Sequence, residues 1–280
     1  MIALIGAGGK MGRRIFPNLQ KAGLPFVGCE ISPEGRAFLQ KSGVTLMETD
    51  EAAASADSLV FAAPDAALPA LTKQYVPKLK SGATVITLDP AAAYADKLTL
   101  RGDCTFVVTH PCHPPLFGER STPEEKADLF GGIAAEQDIV IALLSGEEAK
   151  FSEAEKLCRR MFSPVKESHR ITVEQMAILE PAAAEVVIAM CATVMKEAID
   201  EAVGMGVPRP AAESFLLGHI QIPLAIVLKS SNPFSDAAMI AVEYGKKHIL
   251  RENWKDVFKK ERIREVLAQM LHLDGDGAKR

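Results

Sequence analysis

The chain begins with a short apolar run that leads directly into a turn of glycines. Ile2-Ala3-Leu4-Ile5 is followed by Gly6-Ala7-Gly8-Gly9-Lys10-Met11-Gly12, where an amphipathic helical pattern starts. Glycines permit a tight turn and close approach to the backbone, and the N-terminus of the next helix attracts a phosphate. The spacing departs from G-x-G-x-x-G, because Met11 holds the third position and Gly12 follows it. The context predicts a dinucleotide site that includes Gly6; the alternative is an ordinary βα turn.

Apolar runs continue to alternate with amphipathic stretches as far as about residue 165. The predicted strands are 2–6, 25–30, 44–48, 58–63, 83–88, 105–109 and 138–144, and the predicted helices lie near 9–22, 33–42, 50–55, 66–80 and 147–162. Strands rich in Val and Ile that alternate with helices indicate a parallel sheet with right-handed crossovers. An aromatic content of only 6% also favours this arrangement over a β-sandwich.

Beyond that point the pattern is helical. Thr172 to Gln175 matches a capping box, so a long helix is expected from Val173 to about Val203. It is apolar on nearly every face, which is typical of a helix in a bundle or a subunit interface and predicts a homodimer. Further helices are expected near 209–228, 235–246 and 259–271. The predicted fold is therefore α/β, with a Rossmann doubly wound parallel sheet in residues 1–168 and an all-α domain in residues 169–280.

Charge and cysteine content exclude several classes of protein. The 280 residues carry 32 Lys+Arg and 36 Asp+Glu, a net charge of −4, without a basic stripe, which argues against nucleic-acid binding. Five scattered cysteines without a CxxC pair are typical of reduced, cytoplasmic thiols. No signal peptide is evident, and the most apolar stretch, 176–195, contains Glu180, Pro181 and Glu185. We therefore expect a cytoplasmic protein without a membrane span.

Acidic residues follow three of the predicted strands. Glu30 closes the second strand, where a carboxylate accepts hydrogen bonds from the adenosine ribose and favours NAD over NADP. Ser32 and Arg36 leave a phosphate contact open if Glu30 turns away. Asp65 follows the strand 58–63, and its position suits a helix N-cap as well as a cofactor contact. Asp89 follows the strand 83–88 and is equally ambiguous.

The most distinctive local motif is His110-Pro111-Cys112-His113-Pro114-Pro115, directly after the strand 105–109. The prolines exclude a helix, and in polyproline II geometry residues three apart share a side. His110 and His113 could therefore converge on one ligand, one as a proton-transfer group and the other as a metal ligand. The alternative for each is a polar loop residue bonded to backbone. Cys112 is expected to serve packing.

Glu180 and Glu185 are the only charges between Gln175 and Lys196. Burying an unpartnered carboxylate costs several kcal/mol, so each requires a cation, a metal or a proton. We favour Glu180 as a site residue, because Pro181 disturbs the helix beside it; the alternative is a structural salt bridge. A histidine with a carboxylate suits zinc or another divalent ion.

Together these residues resemble a known group of enzymes. A glycine turn, a histidine-proline pair after a late strand and a helical C-terminal domain are typical of the β-hydroxyacid, 6-phosphogluconate and prephenate dehydrogenase superfamily. Over nearly its full length the chain resembles the D-apionate oxidoisomerase family, in the blocks IALIGAGGKMG, VVTHPCHPPLFGE, FGGIAAEQDIV, HRITVEQMAILEPAAAE, FLLGHIQ, FSDA and NWKDVF. The turn also resembles that of dihydrodipicolinate reductase, whose HHxxKxDAPSG-like block is absent here.

The resemblance implies an enzyme that oxidises D-apionate, a branched sugar acid, with NAD and rearranges its carbon skeleton to 3-oxo-isoapionate. It implies His110 as the acid/base, a divalent metal, with zinc the expected ion, on His113 and Glu180, and NAD contacts at Gly8, Gly9, Lys10, Met11, Glu30 and Asp65. Two alternatives stay open. One is a β-hydroxyacid or prephenate-type dehydrogenase without skeletal migration. The other is a non-catalytic nucleotide sensor, against which the histidines and Glu180 argue.

Overall fold

A seven-stranded sheet organises the N-terminal part of the computed structural model, which describes residues 1–273. Its spatial order is β2-β1-β3-β4-β5-β6-β7. The strands are β1 (Ile2–Ile5), β2 (Phe26–Cys29), β3 (Ser58–Phe61), β4 (Thr84–Thr87), β5 (Thr105–Pro111), β6 (Gln137–Ser145) and β7 (Val165–Arg170). Every residue of β1 and β4 is buried, as expected for parallel strands with helices on both faces.

Strand direction differs from the prediction at one place. The pairs from β2 to β5 are parallel, but β6 runs antiparallel to β5. A parallel return needs a crossover of a dozen or more residues, usually a helix. The segment between β5 and β6 contains only the short helix α6 (Pro123–Ala127), so the chain turns back beside β5. The parallel sheet is confirmed as far as β5 and wrong for β6.

The structure differs from the sequence prediction at two other strands: one predicted strand is absent and one observed strand was not predicted. The run 44–48 is not a strand, because Leu46 forms only an isolated bridge with Gly28 at the edge of the sheet. Strand β7 was not predicted, since its sequence VKESHR is mostly polar and four of its six residues are exposed. An edge strand of this kind lacks the apolar alternation on which sequence prediction depends.

Helices cover the sheet. They are α1 (Gly12–Lys21), α2 (Pro33–Lys41), α3 (Thr49–Ser55), α4 (Leu68–Tyr75), α5 (Ala91–Tyr94) and α7 (Glu148–Met161), besides α6. Helix α1 buries Ile15, Phe16 and Leu19, and it packs against α7, which buries Phe151 and Cys158. This core is mostly aliphatic, with a few phenylalanines such as Phe16 and Phe151, in agreement with the low aromatic content.

One long helical stretch follows β7, as the capping box predicted. It consists of α8 (Val173–Ala177), a π-helical segment (Ile178–Ala189) and α9 (Met190–Gly204). Thr172 and Gln175 form both hydrogen bonds of the capping box. Pro181 has no N–H to donate, and its ring clashes with the carbonyl four residues earlier, so the wider π register relieves a local conflict.

The remaining helices are α10 (Arg209–Lys229), α11 (Asp236–Ile249) and α12 (Lys260–Met270), with a 3₁₀ turn at Trp254–Phe258. The chain divides into two compact units: Met1–Glu180 with the residues from Arg264 onward, and Pro181–Ile263. The predicted boundary after residue 168 lies inside β7. Leu267 in α12 and Leu271 just after it are buried, and the Arg264 guanidinium lies 5.9 Å from the Tyr94 ring centre.

Two helical stretches, Val173–Gly204 and Arg209–Lys229, are long and apolar enough to cross a bilayer by length and composition alone. Only 11% and 6% of their most apolar windows are buried. The sequence prediction had excluded a span on the basis of Glu180, Pro181 and Glu185. Core and interface helices of soluble proteins meet the same criterion, so this finding is weak evidence for a membrane.

Candidate active site

The glycine turn lies between β1 and α1, where the sequence predicted it. Gly6 has φ +76°, and a Cβ there would lie 2.6 Å from the carbonyl oxygen of Ala62. A Cβ on Gly8 would lie 2.7 Å from Cα of Gly35. Side chains are therefore excluded at both positions. The turn also carries Gly9, Lys10 and Met11, the other predicted cofactor residues, immediately before the first turn of α1.

Glu30 lies beside this turn and is held by backbone donors. Its Oε2 accepts a hydrogen bond from the N–H of Gly8 at 2.9 Å, and its Oε1 accepts from Ile31 and Ser32, each at 2.9 Å. Ser32 and Arg36, which could contact a phosphate instead, already form other hydrogen bonds. The Ser32 hydroxyl accepts from Gly35, and the Arg36 guanidinium donates to the Glu30 carbonyl and to Glu48. A fixed negative charge favours ribose hydroxyls and repels a 2′-phosphate.

A mostly apolar cavity of about 240 Å³ adjoins the turn and Glu30. Its wall includes Ile31, Leu71 and Tyr75, a lining that suits a flat nucleotide base. Asp65 follows Pro64, another lining residue, and opens a 3₁₀ turn ahead of α4. The residue that directly precedes α4 is Ala67, so Asp65 is not the N-cap of that helix.

Asp89, His110 and Glu180 converge at the carboxyl edge of the sheet. Asp89 follows β4, His110 lies in β5, and Glu180 lies in the π-helical segment. Each offers one ligand atom within 4.8 Å of the others. Nε2 of His110 is 3.8 Å from Oε1 of Glu180, and its Nδ1 is 3.9 Å from Oδ2 of Asp89. One imidazole and two carboxylates form a donor set suitable for a divalent ion.

His113 lies beside this cluster, with its ring centre 6.1 Å from that of His110. Its backbone is left-handed, with φ +61°, which is uncommon for a residue other than glycine. Nδ1 of His113 is 2.8 Å from the carbonyl oxygen of Phe130. Burial, with smaller effects of His110 and Arg14, holds the pKa of His113 below its usual value, against the opposing Phe130 carbonyl.

The two histidines share one hydrogen-bonding arrangement. Nδ1 of His110 lies 2.8 Å from the Leu88 carbonyl oxygen, as Nδ1 of His113 does from that of Phe130. A carbonyl only accepts hydrogen bonds, so Nδ1 carries the proton in each neutral ring. Both Nε2 atoms are left with a lone pair. This is the arrangement of a histidine that binds a metal or accepts a proton.

Burial also affects Asp89. It raises the pKa of this carboxyl, although the Ala91 N–H and the nearby His110 act in the opposite direction. Oδ1 accepts the Ala91 N–H at 2.8 Å, so the side chain caps α5 and also faces His110. The sequence could not choose between a capping role and a site role for Asp89, and in the structure one carboxylate both accepts the first N–H of α5 and faces His110.

Sequence reasoning missed the loop that supports His113. Asp128 accepts the backbone N–H groups of Ile133, Ala134 and Ala135, and Phe130 lies within this loop. The only signal in the sequence was the pair Gly131-Gly132, both of which adopt positive φ.

A larger cavity, of about 660 Å³, lies at the opposite edge of the sheet near the starts of β1, β3 and β4. None of the predicted site residues lines it. Open α/β sheets bind ligands at the carboxyl ends of their strands. The candidate site is therefore at the edge that carries the glycine turn and the two histidines.

Comparison with known proteins identifies the class of enzyme. Residues 1–90 match the family model described as NADP oxidoreductase coenzyme F420-dependent, and residues 118–271 match phosphogluconate dehydrogenase (decarboxylating) C-term. The chain is 40% identical to a structure described as a semialdehyde dehydrogenase NAD-binding protein from Cupriavidus necator in complex with calcium and NAD. The TM-score is 0.92, and 96% of this chain and 98% of that chain are covered. The chain is thus an NAD-dependent oxidoreductase that acts on a CH–OH group.

Curated relatives define the group more narrowly. The chain is 44% identical to the D-apionate oxidoisomerase of Pectobacterium atrosepticum, with 98% of this chain and 96% of the relative covered. It is 42% identical to that of Rhizobium rhizogenes, with 94% and 96% covered. It belongs to the D-apionate oxidoisomerase family, as the sequence blocks indicated. A ketol-acid reductoisomerase, 18% identical with a TM-score of 0.67, shares the fold.

Proposed function

We propose that this enzyme oxidises D-apionate with NAD and rearranges the product to 3-oxo-isoapionate. The observation that carries the proposal is the convergence of Asp89, His110 and Glu180, with His113 beside them. A dehydrogenase needs a base and a nicotinamide, whereas this site holds a metal-type donor set as well. The names of the relatives support the same substrate.

The first step removes a hydride and a proton from the C2 carbinol of the sugar acid. NAD, when bound at the glycine turn, supplies the hydride acceptor. The hydroxyl proton needs a neutral base within hydrogen-bonding reach. We assign it to Nε2 of His113, because the low pKa of this ring keeps it neutral and its Nδ1 is occupied by the Phe130 carbonyl. The product of this step is a 2-oxo acid.

The second step is an α-ketol rearrangement, which is redox-neutral. A carbon substituent moves from the tertiary carbinol to the neighbouring carbonyl carbon. The tertiary hydroxyl loses its proton and becomes a ketone, and the former carbonyl oxygen gains one. A divalent ion held by Asp89, His110 and Glu180 would supply Lewis-acid polarisation of that carbonyl. His113 then exchanges the proton between the two oxygens.

This proposal exchanges two roles in the sequence prediction, which gave proton transfer to His110 and metal binding to His113 with Glu180. We favour His110 as a ligand because it shares the cluster with both carboxylates. We propose that the ion is zinc, because zinc is commonly bound by imidazole and carboxylate ligands, whereas calcium prefers a site made only of oxygen ligands.

Zinc titration of the NAD-free enzyme tests this exchange of roles. Binding lost in His110→Ala and Glu180→Gln but retained in His113→Ala would support it. Zinc binding lost in His113→Ala but retained in His110→Ala would instead support the roles given in the sequence prediction.

The function is tested by incubating the enzyme with NAD and D-apionate. NADH formation and the carbon skeleton of the product, determined by NMR, are the two measurements. We expect NADH and 3-oxo-isoapionate in equal amounts. NADH with an unrearranged or decarboxylated product would instead support the second candidate, a β-hydroxyacid dehydrogenase, which the match to phosphogluconate dehydrogenase favours. No NADH from any branched or linear sugar acid would refute both.

We further propose that the enzyme works in the cytoplasm as a homodimer, in which a second copy covers the apolar helices α9 and α10. Large apolar side chains on these helices are exposed, among them Met195, Phe215, Leu217 and Ile222. Exposed apolar surface on this scale is typical of an interaction site. The charges on α9 and at the start of α10, such as Lys196, Asp200 and Arg209, favour a protein interface over lipid.

A further inference from the structure

The geometry of His113 is held by one short loop. The left-handed backbone of this residue is a conformation that is unfavourable for a residue with a Cβ. It persists only where neighbouring contacts stabilise it. The contacts here are the hydrogen bond from Nδ1 to the Phe130 carbonyl, at 2.8 Å, and the edge-to-face packing of the two rings, 6.0 Å apart.

The carboxylate of Asp128 closes this loop from inside. Its Oδ2 accepts three backbone N–H groups, from Ile133, Ala134 and Ala135, at 3.0, 2.9 and 3.1 Å. The side chain is only 2% exposed. Between the carboxylate and its donors lie Gly131 and Gly132, both with positive φ. Hydrogen bonds to an ionised carboxylate are among the stronger ones in proteins, so this single side chain sets the shape of the loop.

Helix α1 attaches the same loop to the nucleotide turn. The Arg14 guanidinium lies 4.0 Å from Oδ1 of Asp128 and 4.7 Å from the centre of the Phe130 ring. One turn further along α1, the Asn18 amide donates to the Gly132 carbonyl at 2.8 Å. Because α1 begins at the glycine turn, the loop under His113 and the nucleotide site share one rigid support.

We propose that Asp128 is a positioning residue, which fixes His113 as the tautomer with Nδ1–H and a free Nε2 lone pair by holding the Phe130 carbonyl in place. The Phe130 carbonyl accepts a hydrogen bond and cannot donate one, so it selects this tautomer. When the loop relaxes, Nδ1 loses its acceptor and both tautomers become available. The inference rests on the proposed function only where it assigns proton transfer to Nε2 of His113.

The test uses the full-length enzyme labelled with ¹⁵N-histidine, whose ring nitrogen shifts report the tautomer directly. His113→Gln identifies the His113 signals among those of the six histidines. We expect wild type to show Nδ1–H, and Asp128→Asn to show a mixture of tautomers. Glu125→Gln is the matched control: it also removes one carboxylate charge, but from the capping box of α6 outside the loop.

Steady-state kinetics of Asp128→Asn distinguish a positioning role from a general loss of structure. We expect Asp128→Asn to lower kcat about tenfold or more while KM for NAD stays the same, because misplacement of a proton-transfer group affects the chemical step. If Asp128→Asn does not fold, Arg14→Gln, which removes a second side chain that contacts the loop, should shift the tautomer in the same direction.

The outcomes distinguish the two proposals. A wild-type His113 with Nε2–H, or an Asp128 variant with an unchanged His113 tautomer, overturns the positioning role even if D-apionate is rearranged. If Asp128→Asn shifts the His113 tautomer but the wild-type enzyme oxidises no sugar acid, the positioning role is supported and the proposed function is refuted.

Discussion

At the scale of single residues, Glu30 combines two tasks in one carboxylate. It satisfies the backbone donors of Gly8, Ile31 and Ser32, and it presents negative charge beside the glycine turn. We therefore expect the same side chain to shape the nucleotide site and to favour NAD over NADP.

Substitution of Glu30 by Arg should raise KM for NAD about 10- to 100-fold, the range expected when hydrogen bonds to a charged group are lost. Steady-state kinetics with varied NAD provide the measurement. Glu34→Arg is the control, because it makes the same charge change on the exposed surface of α2. An unchanged KM in the Glu30 variant would remove the ribose assignment.

Asp128 should also leave a signature in the pH dependence of stability. Burial alone would raise the pKa of this carboxyl, but the backbone donors, helped by Arg14, together lower it below its usual value of 3.8. A depressed pKa stabilises the fold above the unfolded-state pKa, and this contribution disappears as the pH falls through the folded-state pKa.

The free energy of unfolding of Asp128→Asn should therefore be lower than that of wild type by a constant amount above about pH 5, and the gap should narrow below about pH 4. Guanidinium unfolding between pH 3 and 7 measures it. Asp103→Asn, which removes an exposed carboxylate, is the control: its free energy of unfolding should differ little from that of wild type at every pH between 3 and 7. A gap for Asp128→Asn that stays constant down to pH 3 would argue against the depressed pKa.

The candidate residues could be found from the sequence to different extents. His110, His113 and Glu180 stood out because titratable groups beside prolines are rare in apolar surroundings. Asp89 could not be assigned, because a carboxylate after a strand has the same pattern whether it caps a helix, faces a ligand or does both. Asp128 gave no signal, since its partners are backbone groups of an irregular loop.

At the scale of elements, the π-helical segment is the feature that presents Glu180. Pro181 cannot take part in regular α-helical hydrogen bonding, and the register widens from Ile178 to Ala189. Such segments often occur at functional sites. The proline is thus unfavourable for the helix and useful for the carboxylate next to it.

Pro181→Ala should raise the melting temperature, because proline is about 3 kcal/mol less favourable than alanine inside a helix. It should also weaken zinc binding by rotating Glu180 away from His110. Differential scanning calorimetry and zinc titration are the measurements. Ala183→Ser, a mild change in the same segment, is the control. A variant that binds zinc as wild type does would show that the π register is not needed for the site.

Elements with strong periodicity were predictable and those without it were not. The buried strands β1, β3 and β4 and the capping box at Thr172 were read correctly, because burial on both faces and capping chemistry are local properties of the sequence. The direction of β6 was not, since it depends on the path of the segment between Cys112 and Glu136, which has no periodic pattern.

At the scale of the whole molecule, we expect the exposed apolar side chains of α9 and α10 to determine the oligomeric state of the enzyme. Their exposure in a single chain is the basis for the proposed homodimer. A bilayer is the competing occupant that length and composition allow.

Light scattering of the wild-type enzyme without detergent should give twice the chain mass of 30.1 kDa. Leu217→Glu, on a residue that is 60% exposed in α10, should shift the protein towards monomer, because an unpaired charge at the centre of an interface is costly. Leu100→Glu makes the same change outside these helices and should leave the dimer intact. A wild-type monomer, or protein recovered only with membranes, would contradict the homodimer.

The compact unit that contains the glycine turn, here called the nucleotide unit, is left by the chain after Glu180 and rejoined at Arg264, inside α12. This path affects how the chain can be synthesised and how its units can be exchanged. In chain order the unit Pro181–Ile263 is an insertion, and the residues from Arg264 complete the unit that begins at Met1. A chimaera that exchanges the helical unit with a relative therefore needs two splice points. During synthesis, which proceeds from the N-terminus, the residues from Arg264 leave the ribosome after the whole insertion. Completion of the nucleotide unit must therefore wait until the inserted helices have been synthesised.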